Sequence, residues 1–294
     1  MKLDSSLSIK KEKRIFFFFI FDKSSNSPRE VLLWVSYNMN KPLILISNDD
    51  SIFSKGIKTL AKLMSALGEV VVVAPDTHQS GMGHAITLDR PLRVNKVPDF
   101  LPDVEAYTCS GTPADCVKFG KHYVLKGRKI DLVVSGINHG SNSAIAVIYS
   151  GTMSAAIEAA LEGIPAIGFS LCDFGADCDF SHTYELVQKI ASKVLTEGLP
   201  HGIALNVNFP AKQEEPIKGI KICRQTDALF RESFEERKDP YGRSYYWMDG
   251  FLQNEDKGGN TDEDALAENY ASIVPAKFDL TDYKALEVLK SWDL

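Results

Sequence analysis

Pro42-Leu43-Ile44-Leu45-Ile46-Ser47-Asn48-Asp49-Asp50 is the stretch whose reading decides the fold. Four apolar residues without alternation read as a short strand buried on both faces, and the run breaks abruptly into polar residues. From about Lys55 to Leu67 the residues Ile57, Leu60, Ala61, Met64 and Leu67 recur at helical spacing, and Gly68 stops the pattern. Glu69-Val70-Val71-Val72-Val73-Ala74-Pro75 is a second buried strand. The alternation continues outward with strand-like Asp131 to Gly136, an Ala-rich helix over Ser150 to Leu161, and strand-like Ala166 to Ser170. A helix over Tyr184 to Thr196 and a strand over Ile203 to Asn208 complete it, while Ile86 to Val97 reads as a hairpin. Apolar strands alternating with helices predict an α/β fold: a Rossmann-like, mostly parallel sheet with helices on both faces.

The ends of the chain differ from this middle. Beyond about Pro210, charged and aromatic residues dominate, as in Arg231 to Arg237 and Tyr245-Tyr246-Trp247. Paired strands forming an extended C-terminal arm at about 225–277, then a closing helix over Asp282 to Leu289, fit that composition better than a continued sheet. Residues 1–38 read as a poorly structured N-terminal extension, with one domain over 39–294 and Met39 as the natural start. The apolar run Arg14 to Phe21 is far short of the ~20 residues a membrane-spanning helix needs. Asp22-Lys23 ends it early, and Ser24 to Ser27 offers no usual signal-peptide cleavage site.

Bulk properties narrow the function. The 294 residues are 44% hydrophobic and 24% charged, with a net charge of −6 and no long basic run. Duplex nucleic acid and membrane surfaces reward clustered Lys and Arg, so neither is expected as a partner. An acidic protein that handles phosphates must gather positive charge locally, and a divalent cation does that. The five cysteines are odd in number and form no CxxC pair, which fits reduced thiols in the cytoplasm.

In open α/β sheets, ligands bind outside the carboxyl ends of the strands. Three polar groups sit at such ends: Asn48-Asp49-Asp50, Asp76 to Ser80, and Gly136-Ile137-Asn138. Adjacent carboxylates repel unless they are solvated or neutralised by a cation, and Mg²⁺ favours one or two carboxylates with neutral oxygens. A solvated turn or a helix cap explains an isolated Asp-Asp pair equally well. No GxGxxG follows the first strand, which argues against a dinucleotide site. Dehalogenase-type phosphatases place their acids at i and i+2, so the adjacent pair also disfavours a phospho-aspartate route.

Two further segments suit anions. His78-Gln79-Ser80-Gly81-Met82-Gly83-His84 sets glycines beside a hydroxyl, so backbone N–H groups can approach a ligand. A plain turn accounts for it too, and His78 and His84 are either general acids or surface histidines. Tyr149-Ser150-Gly151-Thr152 opens a helix, a seat for phosphate at a positive helix end, although helix capping alone accounts for one such Ser or Thr.

Taken in order, these blocks resemble the SurE family of survival proteins, which are 5′- and 3′-nucleotidases. The resemblance rests on Ser47 to Asp50, Ala74-Pro75 through Ser80-Gly81 to Thr87, Ser110 to Val117, Ser135 to Asn138, and Tyr149 to Thr152 with Ala155-Ala156. It runs from about Lys41 to Thr281, with an echo in Asp239 to Arg243, Tyr246-Trp247 and Thr261-Asp262. It implies that Asp49, Asp50, Ser80 and Asn138 bind one divalent metal, Mg²⁺ or Mn²⁺. It also implies that Gly81, Ser150, Gly151 and Thr152 cradle phosphate. Asp49, Asp50 and Asn138 then carry the hydrolysis of nucleoside 5′-monophosphates, with 3′-monophosphates as a further substrate class. A homodimer or tetramer exchanging the arm is implied as well. Ser110 to Val117 serves either the site or only packing and turn geometry.

Three positions depart from the family pattern. Ser51 stands where the family usually has Gly, which matters if the position needs a positive φ. Ala146 replaces a usually polar residue, and Ile273-Val274-Pro275-Ala276 replaces the typical ending. The first two leave an alternative reading: a non-catalytic nucleotide-binding or regulatory module of the same fold.

Overall fold

The computed structural model describes residues 14–21, 30–37, 41–175 and 177–293, the first two stretches by their backbone. The chain divides into a unit at Met1–Lys41 and a second at Pro42–Leu294. In the first, β1 (Arg14–Phe21) and β2 (Glu30–Tyr37) pair antiparallel. The expectation of a poorly structured 1–38 otherwise falls on residues outside those described.

The second unit opens with β3 (Leu43–Ser47), α1 (Lys55–Ser65) and β4 (Glu69–Pro75), followed by β5 (Val94–Lys96) and β6 (Glu105–Cys109). Next come α2 (Pro113–Phe119), β7 (Leu132–His139), α3 (Ala146–Tyr149), α4 (Gly151–Leu161) and β8 (Ala166–Leu171). Then follow α5 (Tyr184–Glu197), β9 (Ile203–Phe209), β10 (Ile220–Ile222), β11 (Ala228–Lys238) and β12 (Ser244–Asn254). The last elements are α6 (Asp262–Ala267), β13 (Ala271–Lys277) and α7 (Tyr283–Leu289).

Nine strands form the main sheet in the order β10-β13-β9-β8-β7-β3-β4-β6-β5. From β6 through β9 every neighbouring pair is parallel. Starting at β3, the chain winds outward to β4 and β6 on one side, then returns to build β7, β8 and β9 on the other. The winding direction reverses between β3 and β7, and the crevice above that switch point is where such sheets bind ligands.

Helices cover both faces. Ile44 and Ile46 pack into a core layer with Ile57, Leu60 and Met64 of α1 and Val187 and Ile190 of α5. Leu43 and Leu45 face the opposite layer with Cys116 and Val117 of α2 and Ala155, Ala156 and Ala159 of α4. This two-sided burial is why β3 shows no alternation. Replacing a side chain such as Leu45 by Ala costs about 2–5 kcal/mol at a site this closed.

Two expectations need correction, and one helix is added. No hairpin spans Ile86 to Val97: only Val94–Lys96 is strand, and it pairs with β6. The donors that a ladder would use are taken by side chains, since Thr87 N–H donates to Asp115 and Arg93 N–H to the Ser110 hydroxyl. The sheet also continues beyond Pro210, because β13 pairs antiparallel with β9, and β10 adds parallel to β13. Pro275 is tolerated within β13 because β10 pairs only as far as Ile273, so the missing N–H meets no partner strand there. Finally, Ser110 to Val117 contains a helix the sequence reading passed over. The paired strands of the expected arm are present as the ribbon β11–β12, and α7 closes the chain.

Candidate active site

β3 ends at Ser47 and delivers Asn48, Asp49 and Asp50, all buried, to the switch point. Asn48 holds the turn that follows: its side-chain amide donates to Ser51 O at 2.8 Å and Ser54 Oγ at 3.0 Å. Gly56 then lets α1 approach β7, since a Cβ there would lie 2.0 Å from Ile137 O. Ser51, in the turn itself, has φ of +77°. The substituted position therefore does need a conformation that glycine takes without strain.

Asp49 lies under the N-terminus of α4. Thr152 Oγ1 donates to Asp49 Oδ1 at 2.5 Å, and a Cβ on Gly151 would stand 2.6 Å from the Asp49 Cβ. Burial pushes the Asp49 carboxyl up to about 6; the Thr152 hydrogen bond opposes this, and the Asp50 charge adds to it. Asp50 is held differently. Its Oδ2 accepts the His139 backbone N–H at 3.1 Å and lies 2.7 Å from His139 Nδ1. The Nε2 of that ring is buried with no hydrogen-bond partner, and Phe180 meets the ring edge-on, with centroids 5.3 Å apart.

Asn138 precedes His139 at the end of β7. The strand's register with β8 shifts between Ser135 and Asn138, where Gly136 has φ of +117° and lies too close to Phe169 O for any Cβ. Asn138 Nδ2 donates to Gly140 O at 2.8 Å, which leaves its oxygen as the free end. Ser80 is exposed, in a loop tied to the acidic turn by the Gln79 N–H, which donates to Asp49 O at 2.8 Å. Gly83 N–H donates to Tyr149 O, so the same loop also reaches the start of α4. Gly81, at φ +76°, has open space around it.

The proposed phosphate cradle divides by role. Ser150 Oγ accepts from Met153 N–H as the N-cap of α4, and the Thr152 hydroxyl is engaged by Asp49. The Thr152 backbone N–H also bonds the Asp49 carboxyl, so what remains for a ligand at the positive end of this eleven-residue helix is the Gly151 backbone N–H. α2 supports this from behind: Thr112 and Asp115 form a capping box, Thr112 Oγ1 donates to Ala85 O, and Pro113 lies against Gly151.

Among the described residues, no group of three or more His, Cys, Asp or Glu is placed to hold a metal. A cation here must therefore rely on Asp49 and Asp50 with neutral oxygens. That set fits: two buried carboxylates, one with its charged form disfavoured by burial, are what a hard divalent ion offsets, and Asn138 presents an oxygen beside them.

Sequence reasoning gave no role to His139, although its place directly after Gly-Ile-Asn was a signal. It also missed a buried polar brace under the 140–144 loop. Asn208 Oδ1 accepts from Asn142 N–H, Asn142 Nδ2 donates to Ser170, and Asp262 Oδ2 accepts from Ala144 N–H. The spacing Asn206-x-Asn208 in an otherwise apolar strand was the available clue. Of the two loop histidines, His78 Nδ1 lies 4.0 Å from Asp50 Oδ1, whereas His84 pairs with Glu158 at 2.9 Å. Ala146 opens α3, and its backbone N–H donates to Ser143 O.

A doubly wound sheet with a buried acidic pair at its switch point, facing a helix N-terminus, is the architecture of α/β proteins that hold an anionic ligand beside a cation. Within that class the chain belongs to the SurE family: the model described as "Survival protein SurE" matches residues 44–232. It is 64% identical over 255 residues to a 5′-nucleotidase SurE of Cytophaga hutchinsonii, covering 86% of this chain and 98% of the relative. A 5′-nucleotidase SurE of Flavobacterium psychrophilum is 55% identical over 256 residues, with 87% and 99% covered. The crystal structure of a SurE protein from Aquifex aeolicus superimposes with a TM-score of 0.72 at 41% identity, covering 85% of this chain and 98% of that one.

Proposed function

We propose that the chain is a metal-dependent nucleotidase that hydrolyses nucleoside 5′-monophosphates to nucleoside and phosphate, with 3′-monophosphates as a further substrate class. The observation that carries this reading is the buried Asp49–Asp50 pair set directly under the N-terminus of α4, where Gly151 and Thr152 lie against Asp49. The relatives named 5′-nucleotidase SurE support it.

Asp49, Asp50, Ser80 and Asn138 would hold one Mg²⁺ or Mn²⁺, which when bound supplies positive charge that polarises a phosphoryl oxygen. The rest is done by the chain. The Gly151 N–H, at the positive end of α4, binds a phosphate oxygen and stabilises charge developing on it. Thr152 fixes Asp49 and His139 fixes Asp50, so both carboxylates are oriented before substrate arrives. One of the two accepts the proton of the attacking water. Neither a Ser-His-Asp set nor an activated thiol is needed.

The test is phosphate release from a panel of 5′- and 3′-monophosphates with Mg²⁺ or Mn²⁺, before and after chelation. Metal-dependent release is expected. Nucleotide binding without release under every metal condition would instead favour the non-catalytic module. A chain beginning at Met39 is expected to give the same rates, because every residue invoked lies in the Pro42–Leu294 unit.

We place the protein in the cytoplasm, where its five unpaired thiols stay reduced. Among the described residues, no helix is long and apolar enough to cross a membrane. The ribbon β11–β12 carries exposed Phe234, Tyr246, Trp247 and Phe251, which join none of the core layers. Such a surface suits an arm packed on a second copy, in a homodimer or tetramer. A monomeric mass at micromolar concentration would contradict that assembly.

A further inference from the structure

Asp50 forms part of the wall of a cavity of about 520 Å³, a volume suited to a small ligand. Its other walls carry two aromatic rings from separate loops: Phe53, 62% exposed, and Phe174, 83% exposed. Solvent-facing Phe rings at the mouth of an acidic, otherwise polar cavity have no structural role in the core layers. Exposed apolar surface in a concavity is the usual mark of a binding site.

The two walls are built rather than loose. Lys55 Nζ donates to Asp177 O at 3.1 Å and Cys178 O at 2.8 Å, tying the start of α1 to the segment that carries Phe174. The Phe174 ring rests on Gly140, where a Cβ would come within 2.4 Å of its Cε1. Gly140 is also the residue whose carbonyl is bonded by Asn138. The ring is thus seated on the backbone that positions the reaction centre, while most of its surface faces solvent. On the wall between the two rings the Lys55 ammonium is taken by carbonyls and the Ser54 hydroxyl already accepts from Asn48, while His78 and His139 line the cavity beside Asp50.

We propose that this cavity is the nucleobase subsite, in which the base of the substrate stacks on Phe174 with Phe53 closing the other side. The inference rests on the nucleotidase reading and adds how the substrate is chosen. Recognition through ring faces tolerates any base and rewards stacking area, so purine nucleotides are favoured over pyrimidine nucleotides.

Phe174→Ala and Phe53→Ala test it, with Phe174→Tyr as the conservative control. For each Ala variant, the ratio of kcat/KM for adenosine 5′-monophosphate to that for ribose 5-phosphate should fall about tenfold, mainly through KM. Phe174→Tyr should keep the ratio near that of the parent chain. Adenosine binding by calorimetry should weaken by a similar factor, while thermal melting stays unchanged because both rings are exposed. An unaltered substrate ratio, or adenosine binding that ignores Phe174, would overturn the proposal. If the parent chain releases phosphate from neither ester while adenosine binding still depends on Phe174, the stacking subsite stands and the nucleotidase reading fails.

Discussion

Ser51 is the residue at which this chain gives up stability in the turn after the acidic pair. At φ +77° a side chain is strained by about 1 kcal/mol, and glycine is not. The Ser51 hydroxyl gives little back, since its one bond is a 3.4 Å contact accepted from Phe53 N–H. Ser51→Gly is therefore expected to raise the melting temperature by roughly 2 °C; no rise would mean the turn is unstrained. Asp49 makes a second prediction at this scale. Its carboxyl titrates near 6 in the folded chain against an ordinary 3.8, chiefly because it is buried. Between those values the folded state keeps a proton the unfolded state has lost, so without a cation stability falls as pH rises through that window and stays low above it. The deficit at neutral pH is about 3 kcal/mol. Metal-free Asp49→Asn should thus melt above the parent chain at neutral pH, and the gap should close below about pH 4. Melting curves with chelator, recorded across that range, check the sign; a constant gap would contradict it. Asp49, Asp50 and Asn138 were legible as polar residues ending apolar strands. Their orienting partners were not, because Thr152 lies 103 residues from Asp49 and His139 lies 89 from Asp50, and only folding pairs them.

Among the elements, α4 ties fold to site most tightly. Its Ala-rich face packs into one core layer, and its first turn rests on Asp49 without intervening side chains. Gly151 makes this approach possible. A methyl there would meet the Asp49 Cβ at 2.6 Å and Pro113 Cγ at 3.1 Å, neither of which is the free end of a flexible chain. Gly151→Ala should displace the helix start and lower kcat/KM by about 100-fold. The fold should survive, because the core contacts of Ala155, Ala156 and Ala159 lie a turn or more away. Steady-state kinetics beside a thermal melt would show this; an unchanged rate would mean the start of α4 is not the phosphate seat. Long periodic elements such as α1, α5 and the apolar strands were readable from spacing alone. The short α2 and α6 have too few residues to show a period, although Thr112-Pro113 with Asp115 is a capping signature that could have revealed the first. β10 and β13 were hidden for another reason: their place in the sheet depends on β9, distant in sequence.

For the whole molecule, the order of the sheet explains why residues from 49 to 152 converge. Outward winding in two directions from β3 opens one crevice, and the ends of β3 and β7 both face it. Alternating strands and helices predicted this parallel core, whereas the extra strands at each edge came from segments whose composition resembles loops. The central claim is that the acidic pair in this crevice holds the cation for phosphomonoester hydrolysis. The most direct test is single-turnover phosphate release by the parent chain, Asp49→Asn and Asp50→Asn across a metal titration. Asn preserves shape and can still accept from Thr152 or His139, so both variants should remain folded. The account predicts that both lose most turnover at every metal concentration while melting no lower than the metal-free parent. Near-normal turnover by both at low metal concentration would contradict it.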